Sequence, residues 1–318
     1  MKNLTIIMYH YVREINGSRY PEIKGLELEL FTKQLDFIEK NYSVVTMDMV
    51  IEASHGELEL PNNSCLLTFD DGYTEHFTVV YPLLKKYNMQ GSFFIPAKTV
   101  LEHKVLDVNK IHFILSSIEN KNEIINFLKQ EIVINKEKYA LKDFQSYYSE
   151  FAHENRFDSK DVIFIKRVLQ HALPEKLRNE LTDKLFSKFV GVNEEAFAKE
   201  LYMNKFQIEH MIQDGMHIGC HGYDHYWWNR LDSEQLEKEI LDSKSFLKSL
   251  GCNMSNWTAC YPYGGYDDTV INTLKKHGCK LAFTTKVDTC DVKINSPYLL
   301  PRLDTNDLPP KSERYKNL

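Results

Sequence analysis

Eight short apolar, β-rich runs recur along the chain, at 4–9, 43–46, 65–69, 92–95, 217–220, 257–260, 281–284 and 298–300. Most are followed by stretches whose apolar residues fall three or four apart, as in Phe31, Leu35 and Ile38, or Leu236, Ile240 and Leu247. Strands that alternate with helices build a parallel sheet, and about seven or eight such units suffice to close a barrel. The expectation is therefore an α/β fold. The alternation stops between 101 and 203, where helical spacing dominates at 122–131, 160–171, 174–190 and 194–201, with Pro174 placed as a first-turn residue. Lys and Glu are dense there and Phe and Leu recur at helical intervals, which predicts an amphipathic helical insertion acting as a lid or subdomain on the barrel rim. The expected organisation is barrel over 1–100, insertion over 101–203, barrel again over 204–303, and a surface tail over 304–318 that frays.

Composition narrows the function classes. With 43% apolar and 26% charged residues and a formal net charge of -6, the chain reads as a globular protein with no affinity for polyanions, so nucleic acid is excluded as a partner. No stretch approaches the roughly 20 apolar residues of an integral membrane segment. Residues 1–12 carry Lys2 as their only cation and an apolar run broken by Tyr9 and His10, which reads as a first strand rather than a signal peptide, so the expected location is cytoplasmic. Six cysteines without a close Cys-x-x-Cys pair read as reduced, buried thiols, Cys220 standing out because it adjoins His221.

Two places carry chemistry. Asp70 and Asp71 stand together at the end of an apolar run, in Leu67-Thr68-Phe69-Asp70-Asp71-Gly72-Tyr73. Neighbouring carboxylates at a strand end can take two jobs, general base and metal ligand, although Asp and Gly also favour plain turns. His221-Gly222-Tyr223-Asp224-His225 sets two imidazoles four apart, and two imidazoles plus one carboxylate make a three-ligand site with open coordination positions. That set points to metal-assisted hydrolysis.

These segments resemble the polysaccharide deacetylases with NodB homology, carbohydrate esterase family four: metal-dependent N-deacetylases of amino sugars on a distorted (β/α)7 barrel. Thr68-Phe69-Asp70-Asp71-Gly72 matches the first motif, His221 and His225 the second, and Tyr261-Pro262-Tyr263-Gly264 the third in its Tyr-Pro-x-Gly form. Gly91-Ser92-Phe93-Phe94-Ile95 is similar to the strand that follows the first motif. The resemblance covers about 4–97 and 204–302 and leaves out the insertion. It implies an α/β, distorted (β/α)7 barrel of the NodB-homology type carrying a large helical insertion.

The resemblance also implies roles. Asp70 is the general base, and Asp71, His221 and His225 hold one divalent ion, zinc by the family's preference, with cobalt or nickel also suited to two His and one Asp. The family's late Leu-x-His acid has no match after Arg302; Met8-Tyr9-His10-Tyr11-Val12 instead resembles the circularly permuted branch, with His10 as general acid. The backbone N–H of Tyr263 is the oxyanion donor. Arg302, in Leu300-Pro301-Arg302-Leu303, resembles the arginine that orients the base in members lacking Arg at the head of the third motif. Tyr73, Tyr226, Trp227, Trp228 and Tyr266 adjoin the motifs and offer flat faces to a sugar ring or to the core.

The function so implied is removal of an acetyl or formyl group from the nitrogen of an amino sugar. A nucleotide-linked or lipid-linked sugar of surface-glycan biosynthesis suits a cytoplasmic, lidded site. The alternatives are a deacetylase of polymeric glycan, a glycan-binding protein without activity on the same fold, and an amidohydrolase of small heterocyclic amides.

Overall fold

The computed structural model of the chain describes residues 4–155 and 158–317. They form two compact units, one made of 1–14, 25–104 and 198–318, the other of 15–24 and 105–197.

The first unit is built on strands β1 (Leu4–Tyr9), β2 (Val12–Arg13), β3 (Leu26–Glu27), β4 (Ser43–Val44), β5 (Ser64–Asp70), β6 (Gly91–Ile95), β7 (His217–Cys220), β8 (Ala259–Cys260), β9 (Ala282–Phe283) and β10 (Leu303–Asp304). The main sheet runs β10-β1-β5-β6-β7-β8-β9, with β4 also paired to β5, while β2 and β3 form a separate ribbon. Its ladders are parallel, with Tyr9 opposite Phe69, Asp70 opposite Phe94 and Ile95 opposite Cys220. Beyond β9, Phe283 makes a parallel bridge with Leu300 just before Leu303 joins β1. One run of chain, 300–304, thus touches both ends of the strand order, and the sheet curls into the distorted α/β barrel that the strand–helix alternation predicts.

The core explains the curl. Strands covered on both faces read as continuous apolar runs, and β1, β5 and β6 are buried at every position. Tyr9 stacks on Phe69 at 4.9 Å and Phe69 on Phe93 at 4.8 Å, a ladder of rings across three neighbouring strands. Helices Leu28–Asn41 and Ser233–Ser249 deliver Phe31, Leu35 and Ile38, and Leu236, Ile240 and Leu247, to the same core, as their spacing predicts.

Three expectations shift. The last strand is Leu303–Asp304 rather than 298–300: in that run Leu300 makes a single bridge to Phe283, and Pro301, with no N–H to give, follows it. The tail does not fray directly after it: Asp304 and Asp307 form a capping box, Gln34 Nε2 donates to the Thr305 carbonyl at 2.8 Å, and Leu308 lies in the core. The second unit recruits residues 15–24 as well, where Tyr20 meets Phe113 edge-on at 4.8 Å.

Within the second unit, helices Asp107–Ser116, Asn122–Asn135, Phe144–Phe151, Lys160–Arg167 and Glu175–Phe189 bury Ile111, Leu128, Phe164 and Leu181. Its buried Lys110 is held by Asp183 at 2.5 Å and Glu194 at 2.8 Å, and Asp158 is held between Lys24 at 2.5 Å and Lys166 at 2.6 Å. No helix among the described residues is long and apolar enough to cross a membrane.

His76 links the core to the end of β1. It is fully buried at the start of the helical segment His76–Val80 that follows the Asp71-Gly72 turn, and its Nε2 donates to the His10 carbonyl at 2.9 Å. Burial first, partly offset by that bond, pushes its pKa down to about 4. The unfolded chain takes up a proton at this histidine as pH falls through about 6.5, while the folded chain does not until about 4. Stability is therefore complete above that window and lost on going down through it, by ~3 kcal/mol at most from this residue. Urea unfolding between pH 7 and pH 4.5 should show a shallower loss for His76→Gln, which keeps an N–H for the carbonyl, than for wild type; equal slopes would contradict the assignment.

Candidate active site

Parallel strands present their C-terminal ends on one side, and loops that leave there converge. His10 follows β1, Asp71 follows β5, His221 follows β7, and Asp70 and Cys260 are the last residues of β5 and β8. Register alone therefore gathers residues 10, 70, 71, 221 and 260 at one mouth.

Local backbone then aims them. Asp71 has φ 75°, His225 φ 60° and Tyr263 φ 55°, a left-handed conformation that costs ordinary residues of order 1–3 kcal/mol and collects at functional sites. Gly72 follows at φ 69°, and a Cβ there would lie 2.9 Å from Ile95 Cγ2, so the Asp-Asp-Gly turn requires its glycine.

The first cluster is Asp71, His221 and His225, all buried. Asp71 Oδ1 lies 3.5 Å from each histidine Nε2, and the two Nε2 atoms are 3.2 Å apart. A tetrahedral ion with bonds of about 2.0–2.1 Å separates its ligands by about 3.3 Å. The other oxygen of Asp71, Oδ2, accepts from the Tyr73 hydroxyl at 2.5 Å, while Oδ1 is buried with no partner. His221 Nδ1 donates to the Cys260 carbonyl at 2.9 Å, which leaves the Nε2 lone pair for the centre of the cluster. A buried carboxylate oxygen facing two ring nitrogens needs a cation, so these three residues fit a divalent ion with an open position. Burial opposes charge on both rings, yet the Cys260 and Asp71 groups raise His221 well above the ordinary imidazole range. At His225 burial and then the charge of His221 push the pKa down to about 3. Without an ion, a proton on His221 serves as the cluster's cation.

The second cluster is Asp70, Arg302 and Cys260. Arg302 is fully buried and binds Asp70 through both ends, Nη1 to Oδ1 at 2.9 Å and Nη2 to Oδ2 at 2.8 Å. Its remaining donors reach the Thr284 carbonyl at 3.0 Å, Thr68 Oγ1 at 3.2 Å and Cys260 Sγ at 2.9 Å. Burial works to raise the Asp70 pKa, but the Arg302 charge, aided by His221, brings it down to about 2. His10, at the rim with its side chain 42% exposed, places Nε2 3.8 Å from Asp70 Oδ2.

Tyr263 lies in the tight turn Pro262–Gly264, its ring edge-on to His225 at 4.7 Å and stacked on Trp227 at 4.8 Å. The other aromatics separate by burial. Tyr73 is fully buried and serves Asp71 rather than a sugar face, Trp228 is core, Tyr226 and Trp227 are half-buried, and Tyr266 is 37% exposed.

Two participants escaped the sequence reading. Cys260, not Cys220, is the thiol at the site: Cys220 is buried with its pKa pushed up to about 11, whereas Cys260 Sγ lies 3.4 Å from Asp70 Oδ2. The signal was its place at the end of an apolar run, immediately before Tyr261. Glu239 is 6% exposed and accepts backbone N–H groups of the histidine loop, from Tyr223 at 2.9 Å and Asp224 at 3.1 Å, with burial pushing its pKa up to about 7. Its signal was a carboxylate in helical phase with Leu236 and Ile240 on a buried face.

Comparison with known proteins agrees with this geometry. The family model described as polysaccharide deacetylase matches residues 58–151 and 189–282. The protein YxkH of Bacillus subtilis (strain 168), a polysaccharide deacetylase by its name, is 36% identical over 100 residues, 30% of this chain and 33% of that protein, so the match spans about a third of the relative's length. The Streptococcus pyogenes deacetylase PplD, solved in complex with acetate, superposes with a TM-score of 0.61 at 17% identity over 99% of this chain and 96% of its own. IcaB from Ammonifex degensii gives 0.58 at 18% identity over 99% and 97%. At these identities the two structures speak for the fold.

Removing one partner of a buried ion pair strands the other, at about 3–5 kcal/mol. Arg302→Met should destabilise the protein by that order in urea unfolding, and adding Asp70→Asn should recover part of the loss; strictly additive losses would show that the two side chains do not depend on one another.

Proposed function

The chain belongs to the polysaccharide deacetylase family, and on that premise we propose that it is a metal-dependent hydrolase removing an N-acyl group, acetyl or formyl, from an amino sugar of a surface glycan or of its nucleotide- or lipid-linked precursor. One juxtaposition carries the reading: an ionised Asp70, held at both oxygens, stands next in sequence to a carboxylate whose free oxygen faces two imidazoles. A glycan-binding protein has no use for the first of these.

Asp71, His221 and His225 would hold the ion, zinc by the family's preference, with cobalt or nickel also suited to two nitrogens and one oxygen. When bound, a divalent ion polarises the amide carbonyl and lowers the pKa of water toward about 7.

The chain's own groups divide the remaining work. Asp70 takes the proton of the attacking water. Its pKa of about 2 makes it a weak base, but one that is ionised at every working pH and fixed in direction by the two bonds from Arg302. His10 lies at the exposed rim on the Asp70 side of the mouth, where a leaving amine can collect a proton from its Nε2. The N–H of Tyr263, in a turn fixed by Pro262 and Gly264, is the donor assigned to the oxyanion. Trp227 and Tyr266 remain as faces for a sugar ring.

The test pairs metal content with amine release from N-acetyl and N-formyl amino sugars, free, nucleotide-linked and polymeric. Wild type should release amine in a metal-dependent manner. Asp70→Asn should lose about 10²–10⁴-fold in kcat while keeping its ion, and Asp71→Asn should lose the ion. Unchanged turnover in Asp70→Asn would remove the base assignment, and intact ligand binding without turnover in wild type would favour the glycan-binding alternative. Release from polymer alone would exclude the precursor.

A further inference from the structure

We propose that Glu239 is the positioning residue that sets the separation of His221 and His225, acting through the backbone of the loop on which they stand; this rests on the ion-binding reading above. The argument begins with the helix Ser233–Ser249, which turns Leu236, Glu239, Ile240 and Ser243 to one buried face. A carboxylate on such a face is destabilising unless its oxygens are bonded. Those of Glu239 are spent on main-chain amides: Oε2 accepts from Tyr223 N at 2.9 Å, and Oε1 from Asp224 N at 3.1 Å.

These amides belong to the three-residue spacer between the two histidines. Gly222 begins it at φ 79°, and a Cβ there would stand 3.1 Å from Glu239 Oε2, so the glycine keeps the carboxylate's approach open. The spacer's carbonyls are held by other groups: Gly222 O accepts from Ala97 N at 3.1 Å and Tyr223 O from Lys98 N at 3.0 Å. The Lys98 ammonium also pairs with the Asp224 carboxylate. The loop is thus bonded through its donors by Glu239 and through its acceptors by the start of the helix Ala97–Leu101.

What this clamp maintains is a strained ending. His225 sits at φ 60°, a conformation that a histidine leaves when nothing holds it. It is also the conformation in which Nε2 of His225 comes within 3.2 Å of Nε2 of His221. Glu239 touches neither ring. Its effect on them runs through the φ and ψ angles of the spacer, which makes it a positioning residue rather than a ligand or a catalytic group.

The experiment compares metal-free wild type, Glu239→Gln, Glu239→Asp and Leu236→Ala. Zinc affinity is measured by competition with a chromophoric chelator, ligand geometry by the visible bands of the cobalt form, and stability by thermal unfolding without metal. The neutral amide of Gln turns an N–H toward one of the loop's own N–H groups, so Glu239→Gln should bind zinc about 10–100-fold more weakly and shift the cobalt bands. Glu239→Asp should fall between it and wild type. Leu236→Ala, a core change on the same helix, should lower the unfolding temperature and leave affinity and spectrum unchanged.

Equal zinc affinity and an unaltered cobalt spectrum in Glu239→Gln would overturn the role of Glu239. So would losses matched by Leu236→Ala, which would make the residue merely structural. Wild type that binds no zinc would instead overturn the ion-binding reading. If neither Glu239 variant folds, the wild-type amide protons of Tyr223 and Asp224 decide: they should be downfield-shifted and protected from exchange, and free exchange at both would refute the clamp.

Discussion

A guanidinium with no contact to water lies under the mouth of this barrel, and the site is arranged around it. Arg302 comes from the residue before the last strand yet bonds to Thr68 and Asp70 on β5, to Cys260 at the end of β8 and to the Thr284 carbonyl just after β9. Bringing a charge of that size into the interior costs several kcal/mol even after relaxation, and its partner Asp70 pays a similar cost. The pair is therefore a poor source of stability. Its contribution is direction: a planar fork bound at both carboxylate oxygens fixes where Asp70 points, and the same fork ties the closing run 300–304 to strands elsewhere in the sheet.

Two adjacent carboxylates consequently live under different rules. Asp70, on the last residue of β5, has both oxygens bonded to a permanent cation and is ionised at any pH the protein meets. Asp71, one residue on and in a left-handed conformation, has Tyr73 on one oxygen and two imidazoles before the other. No difference in side-chain chemistry separates them. The backbone does: Asp70 ends a strand, whereas Asp71 stands in the following turn at φ 75°, which gives its carboxylate different neighbours.

Much of this was legible in the sequence. Runs such as 4–9 and 217–220 coincide with strands because buried parallel strands need unbroken apolar stretches, and the helix faces followed because helical periodicity is local. Residues 10, 70, 71 and 221 meet at one place because parallel register puts strand ends together, while His225 comes from the loop after His221 and Arg302 reaches in from before the last strand. What escaped was non-local. Nothing near residues 15–24 tells that they join the second unit, and nothing around Leu308 tells that it lies against the core. Tyr73 reads as a ring for a sugar face or for the core until its hydroxyl is seen at Asp71, and Glu239 reads as one charge of an amphipathic helix until the backbone amides in front of it are seen. Except for Tyr73, whose partner stands two residues away, the partner comes from a different stretch of chain.

Cys260 shows how the arginine reaches Asp70 from the residue before the last strand. Its thiol lies 2.9 Å from Arg302 Nη2 and 3.4 Å from Asp70 Oδ2, accepting from one and donating to the other, which a neutral thiol can do and a thiolate cannot. Burial raises its pKa despite the guanidinium beside it, so the sulfur stays protonated and adds no charge. A long side chain at this position would occupy the space through which Arg302 reaches Asp70; a small one leaves it open. Once His221 gives up its proton to act as a ligand, and with Cys260 and His225 neutral, one guanidinium stands against two carboxylates, a balance that a cation completes. On the proposed reading, a divalent ion held there would reverse the sign and leave the mouth one positive charge over, which would favour the negative charge of an attacked amide carbonyl. Replacing the thiol by an anionic group would cancel that surplus and set a like charge beside Asp70.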